Sequence, residues 1–172
     1  FSYKRYVIVR NPYNRFLSLF SDKFRKQPQR ILDGLHSWEN VHICLFSHLN
    51  IKQSDSDKTI ASKFFEMSIS DFIKLIPLVI SEDEHFMPQT ATKQFRLFDR
   101  FPINLRINGF FRIEDQQAEL TKLTGIDFGV KKNTSNSKRL KDKLSEKDFL
   151  VLNKFYKNDF LLGNYTKVSK FE

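Results

Sequence analysis

The stretch Tyr6–Phe24, YVIVRNPYNRFLSLFSDKF, decides how the chain begins to fold. Its opening letters, YVIV, are mostly β-branched and are stopped by an asparagine-proline pair, which predicts a short buried strand followed by a turn. After the proline, aromatic side chains recur at every fourth position, which predicts a helix with one apolar and one polar face. These aromatic positions are Phe16, Phe20 and Phe24.

The remainder of the chain alternates between helical and strand-like patterns, which is typical of an α/β domain. We predict that the first helix ends at or just before Gln27-Pro28. Ser70 is expected to begin another helix, which Pro77 terminates. The later elements that the patterns predict are, in order, a strand at 103–107, a turn at Asn108-Gly109, a strand at 110–113, a helix at 115–124 capped by Gly125, and a helix that begins at Ser145.

Composition limits the class of protein. The 172 residues suffice for a single domain, 1–172, and no Gly/Ser-rich or Pro-rich linker divides them. The formal net charge of +9 indicates an anionic partner, and charge alone allows nucleic acid, a phosphorylated cofactor, an acidic polysaccharide or a membrane surface. No apolar run approaches the ~20 residues of a membrane span. The single cysteine, Cys44, favours a reducing compartment.

Arg10 and Ser18 are the candidate anion-binding residues. Arg10 follows the predicted strand at its carboxyl end, the usual ligand-binding edge of an open α/β sheet, and its guanidinium offers two parallel N–H donors to a phosphate. Ser18 lies on the polar face of the helix and can add a hydroxyl donor. The first amides of the helix favour the same anion. The plainer alternative is a strand-turn-helix in which Arg10 pairs with a surface carboxylate.

The segment Arg10–Phe20, R-N-P-Y-x-R-F-x-S-x-F, resembles the 3′-phosphate-binding motif of the carbohydrate sulfotransferase superfamily. In that family the first arginine and the serine of the motif, eight positions apart, grip the 3′-phosphate of the sulfuryl donor PAPS. The resemblance therefore implies this role for Arg10 and Ser18. The second arginine of the motif, Arg15 in this chain, is expected to support the turn.

Later segments resemble segments of the same family in the same order along the chain, so that the resemblance covers residues 3–165. It implies that Asn133 and Thr134 lie in a loop that folds over the nucleotide, and that His85 lies on the acceptor side of the cleft. The matching segments are Glu84–Gln89 (EHFMPQ), Phe110–Leu123, Lys131–Ser135 and Tyr156–Tyr165.

The resemblance also implies a fold, namely the P-loop-like sulfotransferase fold with a central, mostly parallel sheet flanked by helices. One family feature has no match in this sequence: the lysine-containing loop that binds the 5′-phosphosulfate and normally precedes the 3′-phosphate motif. Since the chain begins with Phe1 in strand-like sequence, we expect that an N-terminal part is missing from it.

By resemblance, the chain moves a sulfuryl group from PAPS to a hydroxyl of a carbohydrate, in a glycan or glycolipid, releases the desulfated product PAP, and requires no metal. His85 is the candidate base for the acceptor proton; alternatively, it only orients its loop or binds the acceptor, while an upstream Glu or His acts as the base. Glu84 and Glu114 are lesser candidates, and either can instead pair with a neighbouring arginine. Phe86 is a candidate sugar-stacking ring.

The alternative function is a basic module without enzymatic activity that binds nucleic acid or an acidic polymer. It accounts for the positive charge but not for the spacing of Arg10 and Ser18. Under the sulfotransferase hypothesis the partners are the nucleotide donor and a carbohydrate acceptor, neutral or anionic, and nucleic acid is not among them. The expected location is the bacterial cytoplasm, with membrane contact only through an upstream anchor. The alternative location is the Golgi lumen, where animal relatives are membrane-anchored.

Overall fold

The computed structural model describes residues 6–91, 108–128 and 143–170. In these ranges two strands, β1 (Tyr6–Val9) and β2 (Gly109–Arg112), pair in parallel, with Tyr6 opposite Gly109 and Val9 opposite Arg112. The prediction of an α/β domain is therefore confirmed in general form. The sheet of the described residues is nevertheless small, and helices supply most of the core.

The helices are short and follow one another with brief connections. A π-helical turn, Asp22–Lys26, joins the first two of them. None of the helices in the described ranges has the length and hydrophobicity that crossing a bilayer requires. In chain order they are α1 (Pro12–Ser21), α2 (Gln27–Leu32), α3 (Asn40–Ile43), α4 (Asp57–Glu66), α5 (Ile69–Val79), α6 (Gln117–Thr124), α7 (Glu146–Phe155) and α8 (Lys157–Leu162), with 3₁₀ turns at Ser47–Leu49 and Gln89–Ala91.

The prediction that the first helix ends at Gln27-Pro28 is wrong. The backbone stays helical from α1 through the π-helical turn into α2, where Pro28 lies in the first turn. Proline lacks an N–H and leaves a carbonyl of the preceding turn without its helical donor. Here the Arg25 guanidinium donates to the carbonyl oxygen of Phe24 at 2.8 Å and also to the carbonyl oxygen of Phe64. The helix therefore passes the proline with its polar groups satisfied.

The predicted bounds of α5 are also wrong. Its N-cap is Ser68, whose hydroxyl accepts the N–H of Asp71 at 3.1 Å, whereas the Ser70 hydroxyl donates to Asp148 of α7 at 2.7 Å. The helix continues past Pro77 and ends at Val79. Pro77 cannot make the helical hydrogen bond to the carbonyl oxygen of Ile73, but helical bonding resumes after it, where the Ile80 N–H donates to the carbonyl oxygen of Ile76 at 2.9 Å.

Two cap predictions are confirmed. Gly125 follows α6 with a φ of +73°, the left-handed conformation that a side chain would strain. Ser145 and Asp148 form a capping box at the start of α7, in which the Ser145 N–H donates to the Asp148 carboxylate at 2.8 Å and the Asp148 N–H returns to the Ser145 hydroxyl. The helix at 115–124 begins two residues later than predicted, at Gln117.

The predicted turn at Asn108-Gly109 is wrong, because Gly109 is the first residue of β2 and pairs across the sheet with Tyr6. A methyl group at Gly109 would meet the Tyr6 ring at 3.4 Å. This is an ordinary van der Waals distance, so the position is part of a regular strand and does not require a glycine. The predicted strand at 103–107 lies outside the described residues.

The core is built from aromatic rings, as expected from a chain with 19 phenylalanines. Phe72 of α5 lies at its centre and has no solvent exposure. Its ring centroid is 4.7 Å from that of Phe24 and 5.1 Å from that of Phe16, both on the apolar face of the first helix. The apolar and polar faces predicted for that helix are confirmed, because its phenylalanines are buried on one side and polar side chains line the other.

Adjacent phenylalanines on α4 offer a test of this packing. Phe64 has no exposure and contacts the rings of Phe24 and His42, whereas Phe65 is 40% exposed. We expect Phe64→Ala to lower the free energy of unfolding by about 3–5 kcal/mol, because it opens a cavity in the core. Phe65→Ala should lower it by less than about 1 kcal/mol. Urea denaturation of both variants checks this, and equal losses would contradict the described orientation of α4.

Candidate functional site

A cleft of about 340 Å³ runs along the polar side of the first helix. Four of its eight lining residues carry an arginine or lysine side chain and one carries a carboxylate, so the cleft is electropositive. The lining residues are Arg10, Arg15, Ser18, Leu19, Asp22, Lys23, Lys26 and His85.

Three elements bring these side chains together. Arg10 directly follows β1 at its carboxyl end, and α1 begins two residues later. Arg15, Ser18 and Asp22 are spaced three and four residues apart, which places them on one face of the helix. His85 comes from the segment that follows α5. The structure therefore places Arg10, Ser18 and His85 in one cleft.

Two other residues predicted for the site, Asn133 and Thr134, lie outside the described residues, as does the whole segment Lys131–Ser135. Of the predicted set, the cleft thus includes the arginine, the serine and the histidine.

Arg10 makes no ion pair with any carboxylate in residues 6–91, 108–128 and 143–170. The plain alternative, in which Arg10 pairs with a surface carboxylate, is therefore not observed in those ranges.

The expectation that free helix amides share the anion needs correction. The Asn11 side chain accepts the N–H groups of Tyr13 and Asn14 at 3.0 and 3.3 Å, and Pro12 has none to offer. The amides of Tyr13 and Asn14 are therefore already bonded, and the donors that line the cleft are side chains.

His85 is held by Asp83, a residue that the sequence analysis did not identify. The Asp83 carboxylate lies 2.6 Å from Nδ1 of the His85 ring and accepts the His85 backbone N–H at 2.9 Å. Its second oxygen accepts from the Asn40 amide at 3.0 Å. Burial raises the pKa of Asp83, but these hydrogen bonds outweigh burial, and the net pKa lies below the ordinary value.

This arrangement fixes the proton positions of the His85 ring. With Nδ1–H donating to an ionised Asp83, Nε2 of the neutral ring carries a lone pair and can accept a proton. A carboxylate that orients an imidazole in this way is a recurring feature of general-base sites. The sequence signal was an aspartate two residues before the histidine in a polar segment, and this spacing alone is not specific.

Arg15 was expected to support the turn after β1, and the structure places its guanidinium elsewhere. Nη1 donates to the carbonyl oxygen of Met87 at 2.8 Å, and Nη2 lies 3.5 Å from the carbonyl oxygen of Glu84. Burial lowers the pKa of Arg15, while the nearby Tyr156 and Asp159 raise it. Arg15 thus fastens the segment that carries His85 to α1.

Phe86 is not a sugar-stacking ring, and that prediction is wrong. It has no solvent exposure and packs in the core against the rings of Phe24 and Phe72. Its carbonyl oxygen accepts the hydroxyl of Tyr156 at 2.7 Å. Since Phe86 is anchored inward, its neighbour His85 is directed toward the surface, where the imidazole is about half exposed.

Glu114 has a structural position rather than one in the cleft. One carboxylate oxygen accepts the backbone N–H of Asn11 at 2.8 Å, and the other accepts the hydroxyl of Tyr165 at 2.7 Å. It therefore joins the turn after β1 to the end of β2 and to the C-terminal segment, and among the described residues it makes no ion pair with an arginine. Glu84 has an exposed side chain and is not among the residues that line the cleft.

The far wall of the cleft, at Lys23, rests on a buried histidine. His42 has no exposure; its Nδ1 accepts the Glu39 N–H at 3.2 Å and its Nε2 donates to the carbonyl oxygen of Lys23 at 2.9 Å. The Glu39 carboxylate accepts from the Lys23 ammonium and from the Gln27 amide, each at 2.6 Å.

In the ranges that the structure describes, no three His, Cys, Asp or Glu side chains are grouped to hold a metal ion.

The sequence model of the sulfotransferase family matches residues 1–166, nearly the whole chain. The chain belongs to the sulfotransferase family. The resemblance of the sequence to sulfotransferases is thereby confirmed at the level of the family. No curated protein and no solved structure gives a significant match. Within this sulfotransferase, the segments Glu84–Gln89 and Tyr156–Tyr165, far apart in sequence, contact each other through backbone and side-chain hydrogen bonds.

Because His42 is buried as the neutral ring, the stability of this wall should depend on pH. Burial lowers the pKa of His42 below its ordinary 6.5, so the unfolded chain binds the proton first as the pH falls. The contribution of His42 to stability is complete above about pH 6.5 and declines below it, toward the lower folded-state pKa. Thermal unfolding between about pH 7.5 and 5 should show a decreasing Tm.

The matched variant is His42→Gln, whose amide can accept from Glu39 and donate to Lys23 without titrating. We expect a smaller change of Tm with pH in this variant. An identical pH dependence in the two proteins would show that His42 does not cause the decline.

Proposed function

We propose that the chain is a PAPS-dependent sulfotransferase that acts on a carbohydrate hydroxyl. Family membership supports sulfuryl transfer in general. The observation that carries the donor assignment is the placement of Arg10 and Ser18, the two motif residues, in one electropositive cleft together with His85. A donor whose ribose bears a 3′-phosphate fits an arginine fork and a hydroxyl that face the same space.

In this proposal Arg10 and Ser18 hold the 3′-phosphate. The guanidinium supplies two charge-assisted donors, and the Ser18 hydroxyl supplies a third. Lys26, which also lines the cleft, adds positive charge around the donor and the acceptor, whereas the charge of Lys23 is largely offset by its ion pair with Glu39. The bound donor supplies an activated sulfuryl group on its 5′-phosphate, and the protein contributes position and charge.

The transfer step needs a base. An acceptor hydroxyl attacks the sulfur as its O–H proton passes to Nε2 of His85. A new S–O bond forms, the bond between sulfur and the 5′-phosphate oxygen breaks, and PAP leaves with the electron pair of that bond. Asp83 keeps Nδ1 protonated throughout and stabilises the imidazolium that forms. Asp83 therefore acts as a positioning residue for His85.

The acceptor class is inferred from the cleft. It is open, polar and cationic, which suits a hydroxylated ligand, including one that carries carboxylate or sulfate groups. The net charge of +9 would equally suit a simple polyelectrolyte binder. The two functions differ in their response to salt and to the 3′-phosphate: a polyelectrolyte binder loses affinity steeply as salt rises and shows no preference for the 3′-phosphate.

Arg10→Ala should weaken the binding of PAP by about 2 kcal/mol, roughly 30-fold, because the charge-assisted pair is lost. Arg30→Ala is the matched control, since Arg30 is exposed on α2 and its loss changes the net charge equally. Calorimetry with PAP, and with single-stranded DNA at rising salt, measures both variants. Equal affinities of Arg10→Ala and the unmodified chain for PAP would remove Arg10 from the site. DNA binding without any preference for PAP would favour the polyelectrolyte function.

His85→Ala should reduce sulfuryl transfer by about 100-fold or more, the usual contribution of a general base, while the affinity for PAP stays nearly unchanged. Asp83→Asn should reduce transfer by about 10-fold or more, since an amide no longer fixes the ring. The control is His48→Ala, at an exposed histidine. Transfer of labelled sulfate from PAPS to a panel of unsulfated oligosaccharides gives the rates. Full activity of His85→Ala would exclude this residue as the base.

A further inference from the structure

The backbone N–H and C=O of Arg10 point to the side of β1 opposite to the one that pairs with β2. The carbonyl oxygen of Val9 faces β2, where it accepts the N–H of Ile113 at 3.0 Å. Successive residues of a strand point their backbone groups to opposite edges, so the N–H and C=O of Arg10 point away from β2. Both groups need partners if they are not to lie unpaired beside the cleft.

The side chain of Gln89 supplies both partners. Its Oε1 accepts the N–H of Arg10 at 3.2 Å, and its Nε2 donates to the carbonyl oxygen of Arg10 at 3.1 Å. One carboxamide thus makes the pair of hydrogen bonds that a neighbouring strand would make. The two bonds oppose rotation of the peptide groups on either side of the Arg10 Cα, from which the guanidinium extends toward the cleft.

Gln89 is itself firmly held. Its backbone N–H donates to Asp159 at 2.7 Å, and the N–H and hydroxyl of Thr90 donate to the same carboxylate at 3.0 and 2.9 Å. Asp159 has no solvent exposure. A buried carboxylate that receives three hydrogen bonds allows the bonded segment little freedom, because moving away would leave the charge unpaired.

We propose that Gln89 is a positioning residue for the phosphate-binding Arg10, with Asp159 holding Gln89 in place. This inference rests on the proposed function, since it assumes that Arg10 binds a 3′-phosphate. The carboxamide fixes the direction in which the guanidinium leaves the end of β1. It also joins the donor side of the cleft to the segment that carries His85.

A positioning role differs measurably from general structural support. If Gln89 acts through Arg10, its loss weakens only the contact with the 3′-phosphate. PAP and adenosine 5′-monophosphate (AMP) differ in that phosphate, so the ratio of their affinities isolates the contact. Gln89→Met keeps the length of the side chain and removes both hydrogen bonds to Arg10. Gln116→Met is the matched control, because Gln116 accepts the N–H of Arg112 on β2 at 2.8 Å and does not line this cleft.

Isothermal calorimetry with PAP and AMP on the unmodified chain and both variants tests the proposal. We expect Gln89→Met to weaken PAP about tenfold and AMP less than about twofold, so that the preference for PAP falls. Gln116→Met should change neither affinity. An unchanged ratio of PAP to AMP affinity in Gln89→Met, whether both affinities persist or both fall together, would overturn the proposal.

An unmodified chain that binds PAP no better than AMP would overturn the 3′-phosphate assignment and this inference with it. That result is distinct from one in which the unmodified chain prefers PAP and Gln89→Met keeps the preference. Should Gln89→Met fail to fold, Gln89→Asn takes its place, because it retains an uncharged amide and withdraws it from Arg10 by one methylene. A full preference for PAP in Gln89→Asn would equally overturn the positioning role.

Discussion

The arrangement of the cleft depends on the hydrogen bonds that the buried carboxylate of Asp159 accepts. Asp159 belongs to α8 and accepts three hydrogen bonds from Gln89 and Thr90, which lie about seventy residues earlier in the chain. A fully buried charge tolerates no loss of its donors. The C-terminal helices therefore determine where the segment with His85 lies, and Gln89 transmits that position to Arg10 at the end of β1.

Features that depend on neighbouring residues could be predicted from the sequence. The strand, the turn and the two-faced helix at 6–24 follow from local spacing, and that spacing also puts Ser18 on the polar face. The caps at Gly125 and Ser145 are likewise local signals, formed by one glycine conformation and one pair of side chains. Family resemblance then added His85, which spacing alone does not connect to Arg10.

Features that depend on distant contacts could not be predicted. Phe86 and His85 are adjacent, yet one lies in the aromatic core and the other in the cleft, and only the packing of α5 against the first helix decides which. Pro28 signals a helix end, but the Arg25 guanidinium satisfies the carbonyl that the proline leaves free. Asp83 gains its role from the direction of a short loop, which no periodicity encodes.

Arg15 links α1 to the loop at 84–87, two parts of the cleft that protein engineering would otherwise change separately. From the helix that presents Ser18, its guanidinium reaches the carbonyls of Glu84 and Met87, in the loop beside His85. Under the proposed function, attempts to broaden the range of acceptors by exchanging this loop would therefore also displace the helix that carries Ser18. Libraries that keep its backbone path, and vary only outward-facing side chains, avoid that conflict.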